Sequence, residues 1–188
     1  MTKIPPERCD EIDRLVYDVH MDYCITSFPV DEKRLASEMG FILVRYADLA
    51  KESKKAMEDI IQTGVHICSK KRGYPVYKIA YNDETEPGRA KLTVLHEIGH
   101  ILLGHGSNPT EEEEREADYF AKQTAAPRCL LRFRGHVSIS DIHNIYGLSW
   151  DASERTAIAL ERMANKFGDA ILENDRKYID WARGWSPS

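Results

Sequence analysis

The sequence lacks any apolar run long enough to cross a membrane. Its longest candidates, such as Phe41 to Val44, fall far short of the ~20 residues that a spanning helix needs. The first residues are not followed by the apolar core of a signal peptide, and the chain has no internal repeat and no low-complexity linker. These absences predict a cytoplasmic protein without a membrane partner.

Paired cysteines and an excess of positive charge are also lacking. The 188-residue chain is long enough to fold without a disulfide, and its four cysteines form no CxxC pair: Cys9, Cys24, Cys68 and Cys129. The 26 basic and 31 acidic residues leave a net charge of −5. Because nucleic-acid binders neutralise phosphates with a basic surface, we expect no direct nucleic-acid binding.

The order of the hydrophobic patterns predicts an α+β fold, with a small N-terminal sheet followed by a helical C-terminal half. Apolar or β-branched runs predict strands over 41–46, 65–69 and 76–81, with Lys70 to Gly73 as a hairpin turn. Helical periodicity predicts helices over 5–24, 31–39, 48–61, 89–103, 111–126, 140–146, 151–167 and 169–181. Asp31 is the expected N-cap of the second helix, and Gly104 is expected to end the helix over 89–103.

An HExxH motif, running from His96 to His100, lies within one of these predicted helices. Residues four apart project from the same helix face, so the two imidazoles can take adjacent corners of a tetrahedral zinc site. Glu97 is turned by about 100° from His96 and is placed to act as a base on an attacking water. Gly99 costs a helix about 1 kcal/mol relative to alanine, which indicates a packing or site requirement there.

A catalytic zinc needs a third protein ligand. A downstream histidine in the HExxHxxGxxH spacing is missing, because Gly106 stands at that position and His105 lies one residue short. A carboxylate from the next helix is the other option. There, Glu114 is the predicted ligand and Asp118, four residues on, is predicted to accept a hydrogen bond from a zinc-bound histidine. Glu116 should project elsewhere.

The same helix has a small side that should allow close approach to the HExxH helix, and it carries Ala117, Ala121 and Ala125. The sequence here resembles the ImmA/IrrE family of metallopeptidases. The matched stretch runs from Arg89 to Pro127 and pairs the motif at 92–105 with the acidic stretch at 114–121. The small residues Ala125 and Ala126 before Pro127 depart from the family's larger aliphatics.

The resemblance implies a bacterial or phage zinc metalloendopeptidase. The length of 188 residues favours a single domain, so we expect one metallopeptidase domain over 1–188. That domain would comprise an N-terminal helix (1–30), a catalytic core (31–135) and C-terminal helices (136–188). Several family members inactivate helix-turn-helix repressors of the XRE type, so the implied substrate and partner is such a repressor. The expected mechanism uses Zn²⁺ held by His96, His100 and Glu114, with Glu97 as base. An edge strand over 76–81 is a candidate for pairing with an extended substrate.

Two other functions remain open at this point. The same scaffold could bind a repressor without cutting it, as a non-catalytic anti-repressor with a structural zinc, or the site could be vestigial in a toxin-like or structural protein. The intact Glu97 argues against both, because a structural site has no use for a base there. Residues 140–161 could form a DNA-binding helix-turn-helix, but the acidic start of the second helix disfavours this interpretation.

Several other polar residues are weaker candidates. His66 and Cys68 share a strand face, but no third group orients them as a nucleophile pair. Candidate donors to a transition-state oxyanion are His136, His143 and Tyr146, although ordinary surface or core roles are the commoner explanation for each.

Overall fold

The structure, a computed structural model, describes residues 4–48, 65–71, 74–168 and 173–184. A 3₁₀ turn covers Tyr46–Asp48. The helices and strands in chain order are α1 (Pro6–Asp22), α2 (Glu32–Glu38), β1 (Ile42–Arg45), β2 (Val65–Lys71), β3 (Tyr74–Tyr81), α3 (Pro87–Leu103), α4 (Glu111–Ala125), α5 (Arg128–Arg134), α6 (Ile139–Tyr146), α7 (Trp150–Phe167) and α8 (Glu173–Ala182). The α+β prediction, with a small sheet before a helical half, is confirmed.

The described strands form one sheet in the order β1-β3-β2. β3 runs parallel to β1 and antiparallel to β2, which confirms the predicted hairpin. Pairing extends to Lys71 opposite Tyr74, so Lys70 and Lys71 belong to the strand and not to the turn. The prediction that 76–81 forms an edge strand is wrong, because β3 is hydrogen-bonded on both sides.

Local signals set the ends of most described helices. Asp31 caps α2 as predicted, accepting hydrogen bonds from the backbone N–H groups of Lys33 and Arg34 at 3.1 and 2.9 Å. Gly104 ends α3 in the left-handed conformation, with a φ of 74° that glycine adopts without strain. The predicted helix over 48–61 falls outside the described residues apart from Asp48.

Helix α5 was not predicted from the sequence. Pro127 precedes it and Gly135, with a φ of 71°, follows it. Proline is common at the start of a helix and glycine just after its end, so these two residues could have revealed the helix. Three of its side chains are buried: Cys129, Leu130 and Leu131.

The chain divides into two compact units, with one boundary inside α4. The first consists of 1–4 and 31–121, and it holds the sheet, α2, α3 and most of α4. The second joins 5–30 to 122–188. The prediction of a single domain over 1–188 stays a prediction. In the first unit, α2 and α3 contact the sheet through a core that includes Leu35, Ile79, Val94, Leu95 and Ile98.

The second unit contains a fully buried histidine. Nε2 of His20 lies 3.0 Å from the carbonyl oxygen of Thr124, and Nδ1 lies 2.7 Å from the hydroxyl of Tyr178. A carbonyl only accepts, so Nε2 donates its hydrogen there and Nδ1 accepts from the tyrosine. Burial lowers the pKa of His20 from 6.5 to about 4. The ring is therefore neutral near pH 7.

This arrangement predicts acid destabilisation. The unfolded histidine binds a proton below its ordinary pKa, whereas the folded ring stays neutral, so stability falls as the pH drops from 6.5 to about 4. The loss from His20 is on the order of 3 kcal/mol. Urea unfolding of the metal-free protein between pH 7 and 4.5 measures it.

His20→Gln is the matched variant, since its amide can donate to Thr124 and accept from Tyr178. The raised pKa of Asp175, caused by its burial, acts in the opposite direction but is common to both proteins. We expect a flatter pH dependence for His20→Gln. The same slope in both proteins would contradict the assignment to His20.

Candidate metal centre

The HExxH motif lies in the second half of α3. Pro87 stands in the first turn, where its missing N–H is not needed, and the helix then runs unbroken through the motif. The sequence-predicted residues His96, Glu97 and His100 are all buried. Because the two histidines are four residues apart, both rings lie on the same face of the helix, and their centroids are 4.6 Å apart.

Helix α4 begins with a reciprocal cap. The backbone N–H of Thr110 donates to the Glu113 carboxylate at 2.6 Å, and the N–H of Glu113 donates to the Thr110 hydroxyl at 3.3 Å. These two bonds to Thr110 lower the pKa of Glu113. The cap fixes the first turn directly before Glu114, whose own N–H bonds to the Thr110 carbonyl at 2.9 Å.

The predicted ligands converge. Nε2 of His96 lies 2.9 Å from Nε2 of His100 and 3.2 Å from a carboxylate oxygen of Glu114, whose other oxygen is 3.8 Å from Nε2 of His100. Two ligand atoms at 2.0–2.1 Å from a tetrahedral zinc are about 3.3 Å apart. The three donors therefore fit a tetrahedral metal ion, and they form a potential metal-binding group among the described residues.

Asp118 holds the first of these histidines. Its carboxylate lies 3.1 Å from Nδ1 of His96, so Nδ1 carries the hydrogen and Nε2 presents its lone pair to the ligand group. Burial lowers the pKa of His96, but the bond to Asp118 and the nearby charges of Glu97 and Glu114 raise it overall. The same carboxylates that raise it would favour a cation at this position.

The second histidine has a different partner, which the sequence reasoning missed. Nδ1 of His100 lies 2.9 Å from Nδ1 of His105, whose Nε2 lies 3.2 Å from the carboxylate of Glu116. Glu116 stays outside the ligand group, as predicted, but it is buried and in contact with His105. The sequence signal that could have revealed this contact is the glycine and histidine that directly follow α3, Gly104 and His105.

Gly99 permits the close approach of the two helices. A Cβ atom added there would lie 2.9 Å from Cδ1 of Phe120, a ring that is fully buried. The small residues Ala117 and Ala121 on the same helix are buried as well. The expectation that Gly99 answers a packing requirement is therefore confirmed, with Phe120 as the residue that imposes it.

The potential metal-binding group of the described residues includes none of the weaker candidates. His136 and Tyr146 belong to the second unit and contact each other at 3.1 Å, and Nδ1 of His143 contacts the Leu148 carbonyl at 2.7 Å. The side chains of His66 and Cys68 fall outside the described set. The predicted helical pair is present as α6 and α7, with Gly147 at a φ of 66° between them.

An HExxH helix facing a helix that supplies a glutamate defines a metallopeptidase-type site. The family model of Peptidase M78, the IrrE N-terminal-like domain, matches residues 41–168, which is more than half of the chain. The chain belongs to this family, and the resemblance seen in its motifs is confirmed. No curated protein and no solved structure matches it. Within the described residues, every helix is too short or too polar to cross a membrane.

The geometry predicts a graded response of metal content to mutation. Glu114→Ala should remove most of the bound metal, because only two protein ligands remain. Asp118→Ala should weaken metal affinity by about 10–100-fold, the usual effect of losing a group that orients a ligand. Metal analysis of the purified variants measures both effects. The control is Glu112→Ala, which removes an exposed carboxylate from the same helix. Metal lost from this control and retained in Glu114→Ala would overturn the assignment.

Gly99→Ala tests the helix contact. The change gains up to about 1 kcal/mol of helix propensity, but overpacking against Phe120 costs about 1–3 kcal/mol. We expect a lower free energy of unfolding and weaker metal binding. Phe120→Leu should relieve the clash, so the double variant should be more stable than the two single effects predict. Simple additivity in urea unfolding would argue against the contact.

Proposed function

We propose that this protein is a zinc-dependent metalloendopeptidase that cleaves a specific intracellular protein. The observation that carries the proposal is the convergence of His96, His100 and Glu114 beside a buried Glu97, in a chain of a peptidase family. Two imidazoles and one carboxylate are a donor set typical of catalytic zinc. Three protein ligands leave one tetrahedral position for water or substrate.

A zinc ion held there would polarise the scissile carbonyl and lower the pKa of a water molecule towards about 7. The protein's own residues supply the proton transfers and the geometry. Glu97 follows His96 directly and is turned away from the helix face that carries the two histidines. Its carboxylate is therefore not one of the proposed metal ligands. In this proposal Glu97 accepts the proton of the attacking water and delivers it to the leaving amine. Asp118 holds His96 in orientation throughout.

For the substrate, we propose an XRE-type helix-turn-helix repressor in the cytoplasm, so that cleavage relieves repression. Support comes from family membership and from the acidic net charge of −5, which favours a basic DNA-binding protein as partner over nucleic acid itself. A chain of this size has little room for a deep specificity pocket, so recognition should require a folded surface of the repressor.

Glu97→Gln tests the mechanism. The amide keeps the size of the side chain but cannot act as a base, so zinc content and stability should stay near wild type while cleavage falls by about 10²–10⁴-fold. The assay is incubation with an XRE-type repressor from the same genome, read by intact mass. Full cleavage by Glu97→Gln would sink the hydrolytic mechanism.

This assay, combined with a measurement of repression in cells, separates cleavage from binding. Glu97→Gln is compared with the wild-type protein in both measurements. If Glu97→Gln releases the repressor from its operator in cells, and neither Glu97→Gln nor the wild-type protein forms cleavage products, the non-catalytic anti-repressor function is the correct one. Selectivity is measured against unfolded casein. Comparable cleavage of casein and repressor would contradict the proposed specificity.

A further inference from the structure

We propose that His105 and Glu116 are positioning residues that fix the orientation and tautomer of His100. They would form a second carboxylate anchor for the metal site, reached through an imidazole. This inference rests on the proposed metal-binding role of His100 but not on peptide hydrolysis. Its support is a chain of contacts behind the ligand: Nδ1 of His100 to Nδ1 of His105 at 2.9 Å, then Nε2 of His105 to Glu116 at 3.2 Å.

The direction of each hydrogen bond in this chain follows from the metal. His100 presents Nε2 to the ligand group, so its hydrogen must be on Nδ1, which donates to Nδ1 of His105. His105 then carries its hydrogen on Nε2 and donates it to the Glu116 carboxylate. One tautomer of each ring satisfies both of these contacts, whereas the opposite tautomer of His105 would place two N–H groups face to face.

The end of α3 explains why His105 meets His100. The N–H of His105 bonds to the carbonyl of His100 at 3.0 Å, and the N–H of Gly104 bonds to that of Ile101 at 3.3 Å. This pair of bonds around a left-handed glycine is the Schellman motif, which brings the residue after the glycine onto the one five positions earlier. An apolar contact is common at that place, and here it is a contact between two imidazoles with centroids 5.0 Å apart.

The two anchors differ in their exposure. The Asp118 side chain is 59% exposed, whereas the side chains of His105 and Glu116 are 4% and 9% exposed. Hydrogen bonds to a charged group gain strength where water is excluded, and a buried unpaired partner is costly. The His105–Glu116 anchor should therefore constrain its ligand at least as strongly as Asp118 constrains His96.

His105 is not a fourth ligand in this arrangement. Its Nδ1 faces the Nδ1 atom of His100, on the side of the ring away from the converging Nε2 atoms. The potential metal group among the described residues contains His96, His100 and Glu114 without it.

The test measures zinc affinity of the full-length protein by competition with a chelator, with zinc chloride as the only metal. We expect His105→Ala to weaken affinity by about 10–100-fold, at least as much as Asp118→Ala. Glu116→Ala should weaken it by a smaller factor. Glu116→Gln should restore most of that loss, because its amide oxygen accepts the same N–H. The matched control is Glu112→Gln, the same change at an exposed position of α4.

Nitrogen-15 NMR of the zinc-loaded protein supplies a readout that a merely structural role would not move. We expect His105 with hydrogen on Nε2 and His100 with hydrogen on Nδ1 in the wild type and in Glu116→Gln. In Glu116→Ala, His105 should lose this single tautomer. Where His105→Ala fails to fold, the two Glu116 variants and this spectrum decide the matter.

The outcomes are distinguishable from those for the proposed function. Wild-type zinc affinity in both His105→Ala and Glu116→Ala would overturn the inference, as would a His105 ring with hydrogen on Nδ1. A wild-type protein that binds no zinc would overturn both the inference and the proposed function. Tight zinc binding without cleavage of any repressor would overturn only the function.

Discussion

The close contact between α3 and α4 is the constraint on which the candidate metal site depends. A histidine pair on one helix can meet a glutamate on another only if the two backbones approach closely, and here a glycine faces a buried phenyl ring at the crossing. Any side chain at Gly99 competes with Phe120 for that space. A glycine in the middle of a helix lowers helix stability, but at this position it permits the approach that brings the potential ligands together.

Much of this site could be predicted because it depends on the spacing of residues along single helices. The distance between His96 and His100 along a helix fixes a shared face, and Glu114 and Asp118 repeat that spacing on the next helix. The structure brings His96, His100 and Glu114 together and places Asp118 beside His96. His105 and Glu116 escaped prediction because their contact depends on how the chain turns after Gly104, which helical periodicity does not describe.

The fold was harder to predict where it depends on contacts between segments that are distant in the sequence. Periodicity located the strands, but it could not show that β3 lies in the middle of the sheet, because sheet order is set by contacts between distant segments. The α5 helix is short and rich in arginine, so it lacks the long apolar stripe that identifies a helix. Its boundaries depend on Pro127 and Gly135.

The turn between α3 and α4 has a consequence for how the site assembles. The three potential ligands and the hydrogen-bonding partners described above lie on one helix–turn–helix segment, between His96 and Asp118. Bringing them together closes only a short loop, and the entropic cost of loop closure grows with length. A metal ion could therefore act as a local cross-link that favours native pairing of these two helices early, before contacts of high sequence separation have formed.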